Sequence, residues 1–159
     1  MGNKSSTGRV VAKEVSIDHK PDRPEEQARI EAAGGRVFAV EYDDGVDGPP
    51  RVWLGTIDIP GLAMARSLGD TVAHTAGVIS EPELTYVDLA SDDCVLIMAS
   101  DGLWEFIENQ EVLDLIADTP EPKAAVDLLV QEAADRWMRE EQVIDDTTVI
   151  VAHLSPGSV

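Results

Sequence analysis

The sequence has little of what would mark a secreted or membrane-embedded protein. Its one cysteine, Cys94, excludes an internal disulfide framework, and we interpret it as a small core residue in a reducing compartment. No apolar run approaches the ~20 residues that a membrane-spanning helix needs. Nothing in the sequence resembles a secretory leader. These absences predict an intracellular protein, located in the cytoplasm or the nucleus.

Basic residues are also scarce. The 159 residues include 12 Lys and Arg against 31 Asp and Glu, which gives a formal net charge of −19. Nucleic acids and anionic lipid surfaces would repel such a chain, so we expect it to bind neither. Two interpretations of the acidic surface stay open: it could attract cations and basic partners, or it could simply be a solvated face.

What the sequence does have is a strongly apolar run that ends in an acid. The run Val95–Ala99 predicts a strand buried on both faces, and Ser100-Asp101-Gly102 follows it directly. A carboxylate at the end of a core strand must be solvated, paired or bound to a metal, because burying it alone costs too much free energy. An isolated Asp101 would be interpreted as a simple turn.

A second acidic site near the C-terminus changes that interpretation. Asp145 and Asp146 immediately precede the β-branched run 147–152, which predicts another strand. Two strands that each carry an Asp at one tip could bring two carboxylates to one hard divalent cation. Oxygen ligands favour Mg²⁺ or Mn²⁺.

A third segment, Gly61-Leu62-Ala63-Met64-Ala65-Arg66-Ser67-Leu68-Gly69-Asp70, completes a set of motifs. Together the three resemble the metal-dependent Ser/Thr protein phosphatases of type 2C, which carry Gly-Leu-Ala-x-x-Arg-x-x-Gly-Asp, Ala-Ser-Asp-Gly-x-Trp-(Asp/Glu) and a late Asp-Asn/Asp-x-(Thr/Ser)-Val strand in this order. The stretches 18–21, 31–37 and 77–82 also look like the family. The resemblance extends from about Val10 to Leu154.

The resemblance implies a reaction and a set of site residues. In the family, two Mg²⁺ or Mn²⁺ ions activate a water that hydrolyses phosphoserine or phosphothreonine in phosphoproteins. The late metal ligands correspond to Asp101 and Asp145. Neighbours in an extended chain point to opposite faces, so only one of the pair is expected to face the metal. We choose Asp145 over Asp146 because it occupies the first position of the family's Asp-Asn pair. The expected supporting or structural residues near the site are Asp70, Arg66, Gly102 and Asp146.

The resemblance also implies a fold and an incomplete domain. Short strands and a few helices without βαβ alternation predict an α+β fold. The family's version is an antiparallel β-sandwich flanked by helices, in four α-β-β-α layers. The family's domain is roughly twice as long, and its Asp-Gly-His-Gly-Gly motif is absent here. We therefore predict that residues 9–154 form the C-terminal half of the domain, with a flexible start or hairpin tip at 1–8 and a tail at 155–159.

Such a half-domain has consequences for activity and partners. We expect the isolated chain to be inactive, and either to pair with the N-terminal half of the domain or to self-associate. The alternative function is a non-catalytic, phosphatase-like module for protein interaction or regulation.

The first residues allow two interpretations as well. Met1-Gly2 with Ser6 matches the N-myristoylation pattern. Alternatively, residues 2–8 are the tip of a hairpin, which the sequence favours because the family resemblance resumes directly after it.

Local patterns predict the remaining elements. Residues 62–68 predict a short helix ended by Gly69. Arg66 in this stretch and Asp70 just after it are four residues apart, which is the spacing of a local ion pair. The Gly- and Pro-rich segment 43–50 predicts a loop that cannot join a sheet. Further strands are predicted at 9–16, 37–40, 51–54, 77–79 and 84–89, and further helices at about 22–34, 110–117 and 119–139.

Overall fold

The structure is a computed structural model that describes residues 1–4, 10–42 and 45–154. The chain forms two compact units, one built from Met1–Val15 with Tyr86–Val159 and the other from Ser16–Thr85. The predicted tail at 155–159 and part of the predicted flexible start lie outside the described residues. No helix in the described ranges is long and apolar enough to cross a membrane.

The elements follow one another in a mixed order of strands and helices. They are β1 (Gly2–Lys4), β2 (Val10–Ala12), α1 (Pro24–Ala32), β3 (Arg36–Tyr42), β4 (Gly45–Trp53), β5 (Pro60–Leu62), α2 (Thr71–His74), β6 (Asp93–Ala99), α3 (Asp101–Trp104), α4 (Asn109–Ile116), α5 (Pro122–Glu140) and β7 (Val149–His153).

The first unit is built on an antiparallel sheet with the strand order β2-β1-β6-β7. Its buried cluster joins strand residues such as Val95, Ile97 and Val151 to helix residues such as Leu103 and Leu129. Leu129 and Ala133 of α5, four residues apart, are buried on one face of that helix. The helices thus cover one face of the sheet.

The other face of the same sheet corrects one prediction. β6 was expected to be buried on both faces, but its burial alternates, and Met98 is 51% exposed. Ile150, its partner on β7, is also 51% exposed. The apolar run therefore identified the strand correctly, but within this chain α4 and α5 pack on only one side of it.

Gly2 lies inside strand β1 rather than in a hairpin tip. β1 pairs with β2 through Gly2 and Ala12, and with β6 through Gly2 and Val95. A Cβ atom on Gly2 would lie 2.6 Å from Cγ1 of Val10, so only glycine fits this crowded position. The predicted hairpin is present, with residues 5–9 of its connection outside the described ranges.

The second unit contains an antiparallel sheet with the order β3-β4-β5. Its buried cluster includes Ile30 of α1, Val52 of β4 and Val78, which follows α2. The predicted loop over 43–50 is wrong for 45–50, since β4 begins at Gly45. The register of the β3–β4 pair shifts between Phe38 and Val40. Pro49 and Pro50 of β4 lie in the bulge opposite this shift, where the sheet needs no N–H donor.

The predicted helix over 62–68 is also wrong. β5 ends at Leu62, and the chain then runs irregularly to Asp70, with Arg66 forming an isolated parallel bridge to Ile79. Gly61 and Gly69 have φ values of 74° and 90°, which interrupt a helix at both ends of the segment.

The predicted strands at 77–79 and 84–89 are largely absent. Ile79 forms only the bridge to Arg66, and residues 80–90 have no regular secondary structure. Leu84, Tyr86 and Leu89 are exposed, at 69%, 89% and 63%. Alternating apolar residues predict an extended backbone, but they do not supply a neighbouring strand with which to pair.

Candidate metal-binding edge

The pairing of β6 with β7 brings the two predicted acidic segments to one edge of the first sheet. Ala99, the last residue of β6, pairs with Val149, the first residue of β7. One step further, the backbone N–H of Ser100 donates to the carbonyl oxygen of Thr148 at 3.0 Å. The segment that carries Asp101 therefore leaves the sheet beside the segment that carries Asp145 and Asp146.

Ser100 joins these segments through its side chain as well. Its hydroxyl donates to the carbonyl oxygen of Asp146 at 3.1 Å and accepts the backbone N–H of Thr148 at 3.0 Å. The sequence analysis missed this role. The signal that could have found it is a serine directly before a short helix, where its hydroxyl can serve backbone groups.

Gly102 lets the two segments approach closely. A Cβ atom at this position would lie 2.6 Å from both the carbonyl oxygen of Asp146 and Oγ1 of Thr147, and 3.0 Å from Cα of Thr147. Any larger side chain would push the segments apart. Gly102 thus determines how near the turn at Asp101 comes to Asp146 and Thr147.

Asp145 and Asp146 lie before β7, not within it. Oδ1 of Asp145 accepts the backbone N–H of Asp146 at 2.9 Å, and the carbonyl oxygen of Asp145 accepts the hydroxyl of Thr147 at 3.2 Å. This is a local turn, so the alternation of side chains along a strand does not decide which of the two carboxylates faces a metal. The choice of Asp145 remains a prediction.

The charges at this edge are uncompensated. Asp101, Asp145 and Asp146 are exposed, and none of them forms an ion pair with a basic group of the described residues. Carboxylate oxygens of this kind suit Mg²⁺ or Mn²⁺. However, residues 1–4, 10–42 and 45–154 contain no group of three or more His, Cys, Asp or Glu placed to hold an ion. The donors fit such a metal in kind but not in number.

Arg66 and Asp70 belong to the second unit, and the ion pair predicted between them is wrong. Arg66 instead binds Glu26, with Nη2 2.5 Å from Oε1, and donates to the carbonyl oxygen of Glu81 at 3.0 Å. Asp70 is exposed and has φ 44° at the start of α2. An ion pair between residues four apart, such as Arg66 and Asp70, requires a helix. The segment is extended at Arg66 instead, and the Arg66 side chain reaches Glu26 of α1.

Glu26 is a buried carboxylate that the sequence analysis did not identify. Its side chain is fully buried, and Arg29 pairs with it at 2.6 Å in addition to Arg66. Burial acts to raise the pKa of Glu26, but hydrogen bonds from Arg66 and Arg29 outweigh it and lower the pKa to about 2.

Comparisons with known proteins agree with this fold and these motifs. Residues 3–142 match the family described as Protein phosphatase 2C. The chain is 41% identical over 156 residues to "Probable protein phosphatase 2C 52" of Arabidopsis thaliana, covering 97% of this chain and 33% of that protein. It is 40% identical over 152 residues to "Probable protein phosphatase 2C 12" of Oryza sativa subsp. japonica, covering 94% and 38%. The chain thus spans little more than a third of these relatives.

Solved structures give the same fold. The serine-threonine phosphatase 2C of Toxoplasma gondii superimposes with a TM-score of 0.79 at 22% identity, covering 96% of this chain and 50% of that one. A phosphatase from a pathogenic strain of Toxoplasma gondii gives 0.63 at 26% identity, covering 96% and 45%. The predicted type 2C α+β fold is therefore confirmed. Because the family match covers most of the chain, the protein belongs to the protein phosphatase 2C family.

Proposed function

We propose that this chain supplies the C-terminal part of a metal-dependent Ser/Thr protein phosphatase, in which Asp101 and Asp145 bind the metal. The observation that carries the proposal is the close approach at Gly102, whose Cα faces the backbone of Asp146 and Thr147. That contact places two acidic segments, far apart in sequence, at one edge of the sheet.

The cofactor in this proposal is Mg²⁺ or Mn²⁺. When bound, such ions lower the pKa of a water and neutralise phosphate charge. Two carboxylates are too few to bind two ions tightly, because Mg²⁺ offered so few ligands keeps most of its waters. We propose that the remaining ligands come from an N-terminal half with the Asp-Gly-His-Gly-Gly motif. This is why we propose that the present chain alone is inactive.

The chain's own residues orient the two aspartates. Ser100 and Gly102 hold the Asp101 turn against the backbone of Asp146 and Thr147. The Asp146 N–H engages one oxygen of the Asp145 carboxylate, which leaves the second oxygen for a cation. Asp146 and the more distant Asp70 and Arg66 would then have supporting or structural roles.

The proposed substrate is phosphoserine or phosphothreonine in a phosphoprotein. The net charge of −19 argues against nucleic acid as a partner, since both would carry the same sign of charge. We place the enzyme inside the cell, where phosphoproteins and divalent cations are both present.

The test is complementation. This chain would be co-expressed with the N-terminal half of the 41% identical Arabidopsis relative, and hydrolysis of p-nitrophenyl phosphate would be titrated with Mn²⁺. We expect metal-dependent hydrolysis by the complex and none by the chain alone. Asp101→Asn should lower the rate about a hundredfold or more, because a metal ligand is lost.

Asp127→Asn is the matched control, since Asp127 lies exposed on α5 and pairs with Lys123 on the same helix. This variant should keep the parent rate. An Asp101→Asn complex within tenfold of the parent would remove Asp101 from the metal site.

A second candidate is a non-catalytic interaction module. It is favoured by one observation, that the described residues include no three-ligand group for a metal. A complex that assembles and stays folded, yet shows no Mn²⁺-dependent hydrolysis at any concentration, would support this function over the first.

A further inference from the structure

The two outer strands of the first sheet, β2 and β7, differ in how their open sides are covered. Each has a neighbouring strand on one side only within the described residues. On the open side of β2, Oε1 of Gln110 accepts the backbone N–H of Ala12 at 3.0 Å, and Nε2 of Gln110 donates to the carbonyl oxygen of Val10 at 3.1 Å. A glutamine amide both donates and accepts, so Gln110 of α4 takes the place of a further strand beside β2.

The second sheet protects its outer strands by their composition. β3 carries the charged residues Arg36 and Glu41, and β5 is only three residues long and begins at Pro60. Charged side chains, proline and short length are devices that keep the edge of a sheet from pairing with another chain.

β7 has none of these devices. Its residues, Val149–His153, include no Asp, Glu, Lys, Arg or Pro. Its pairing with β6 runs through all five residues without a register shift, so no bulge twists the strand away. α5 packs on one face of β7, but a packed face leaves the backbone groups along the edge of the strand unpaired.

Two hydrogen bonds show which backbone groups of β7 face away from β6. The carbonyl oxygen of Thr148 accepts the N–H of Ser100 at 3.0 Å, and the N–H of Leu154 donates to the carbonyl oxygen of Cys94 at 2.9 Å. In an antiparallel ladder, alternate residues direct both of their backbone groups toward the same neighbour. The even-numbered residues therefore face β6. The outward N–H and C=O groups, which we call the β7 edge, belong to Val149, Val151 and His153.

The β7 edge is complementary to itself. In an antiparallel pair of two copies centred on Val151, each Val149 lies opposite His153 of the second copy, and the two Val151 residues lie opposite each other. Three such pairs exchange about six backbone hydrogen bonds. Ile150, which is 51% exposed in the single chain, then lies opposite Ala152 of the second copy, so a large side chain is covered beside a small one.

We propose that β7 is a dimerisation strand. Two copies of this chain pair antiparallel through their β7 edges about a two-fold axis, which joins their four-stranded sheets into one continuous sheet. The partner is a second copy because a two-fold axis brings this edge against itself. The strand is also an uncharged stretch of a chain with a net charge of −19, so two copies can approach there with the least repulsion. This dimer does not depend on the proposed function.

The test uses the full 159-residue chain. Sedimentation velocity over a concentration series should show a monomer–dimer equilibrium, and added salt should favour the dimer because it screens the like charge of the two copies. Amide hydrogen exchange followed by NMR locates the contact. As the dimer fraction rises, the amides of Val149, Val151 and His153 should exchange more slowly. The amides of Ile150 and Ala152 face β6 and should be protected at every concentration.

A matched pair of variants isolates the backbone contact. His153→Pro removes an N–H of the β7 edge without touching the bonds to β6, and the two-fold axis repeats the loss. We expect the dimer dissociation constant to rise about tenfold or more, the factor for two net hydrogen bonds. His153→Ala removes the exposed side chain but keeps the N–H, so it should dimerise like the parent.

Met98→Lys separates pairing by the edge from stacking by the open face of the sheet. Met98 is exposed on that face but belongs to the inner strand β6, so a dimer joined through β7 should tolerate the change. A dimer that Met98→Lys abolishes and His153→Pro leaves intact would show that the faces stack, and would overturn the proposal.

Two results with the parent chain would also overturn it. One is a chain that stays monomeric at every concentration and salt level. The other is a dimer in which the amides of Val149, Val151 and His153 exchange as fast as in the monomer. Circular dichroism shows whether His153→Pro folds, and if it does not, the exchange pattern of the parent chain decides.

Discussion

Glu26 of the second unit and the aspartates at the edge of the first unit lie in opposite environments. In the second unit, Glu26 is fully buried and held by Arg29 and Arg66. In the first unit, Asp101 and Asp145 are exposed, and no basic group of the described chain pairs with either. Glu26 closes an internal network, whereas the aspartates leave negative charge at the surface.

This difference separates a structural acid from a candidate ligand. A buried carboxylate is stable only while its partners remain, so removing one member of such a network leaves an uncompensated charge. Exposed acids at one edge contribute little to folding, and their mutual repulsion slightly opposes it. Charge that does not stabilise the fold is available for a cation.

The largest expected effect is on the stability of the second unit. Glu26→Gln should lower the free energy of unfolding by about 3–5 kcal/mol, because Arg29 and Arg66 would lose their shared partner in a buried place. Urea unfolding of the 159-residue chain measures this loss. Asp101→Asn, the matched change at the other carboxylate, should alter stability by less than about 0.5 kcal/mol. Equal losses in the two variants would abolish the distinction between the units.

Acid should produce the next largest effect. The pKa of Glu26 is lowered to about 2 from its usual 4.5, so the stability that its ionised form contributes is fully present above pH 4.5. It is lost as the pH falls from 4.5 toward 2, and it amounts to about 3 kcal/mol.

Urea midpoints at pH 6 and pH 3 measure this dependence. Glu26→Gln has no carboxylate to protonate and should show a correspondingly weaker dependence on pH. If parent and variant lose stability in parallel between these pH values, Glu26 is not the group that titrates.

A smaller effect is expected where the first unit is most tightly packed. Gly102→Ala places a methyl group against the carbonyl oxygen of Asp146 and Oγ1 of Thr147, which are backbone and near-backbone atoms with little room to move. We expect a loss of about 1–3 kcal/mol, together with shifted amide NMR signals at residues 145–148. An unchanged spectrum there would contradict the close approach.

The sequence was sufficient to predict elements that depend on local pattern. The apolar run before Ser100 and the β-branched run after Asp146 identified β6 and β7, and their motifs identified the family. The side of β6 that α4 and α5 leave uncovered was not predictable, because hydrophobicity shows that a face seeks burial, not whether another element covers it.

Contacts between distant segments were the least predictable. The sequence offered Asp70 as the partner of Arg66, but Arg66 forms a bridge to Ile79 and binds Glu26 instead. Sequence spacing favoured the nearer acid because it assumed a helix. Ser100 was missed for a related reason: its hydroxyl binds a backbone carbonyl and a backbone N–H, groups that no sequence motif marks.

The smallest effects separate Asp145 from Asp146. Asp145→Ala removes the acceptor of the Asp146 N–H and should cost about 0.5–1.5 kcal/mol. Asp146→Ala removes a carboxylate that forms no hydrogen bond or ion pair within the described residues, and its effect should stay within about 0.5 kcal/mol. Thermal unfolding of both variants gives this comparison.

The same pair of variants then tests the metal ligand in the complemented phosphatase. Asp145→Ala should abolish Mn²⁺-dependent hydrolysis of p-nitrophenyl phosphate, because the Asp145 carboxylate is the proposed ligand. Asp146→Ala should reduce it only mildly, because its carboxylate is not a ligand in this proposal and forms no hydrogen bond or ion pair within the described residues. The reverse order of activities would assign the metal to Asp146. Stability provides the control: if activity is lost only in proportion to unfolding, neither aspartate binds metal, and the acidic edge is a solvated turn.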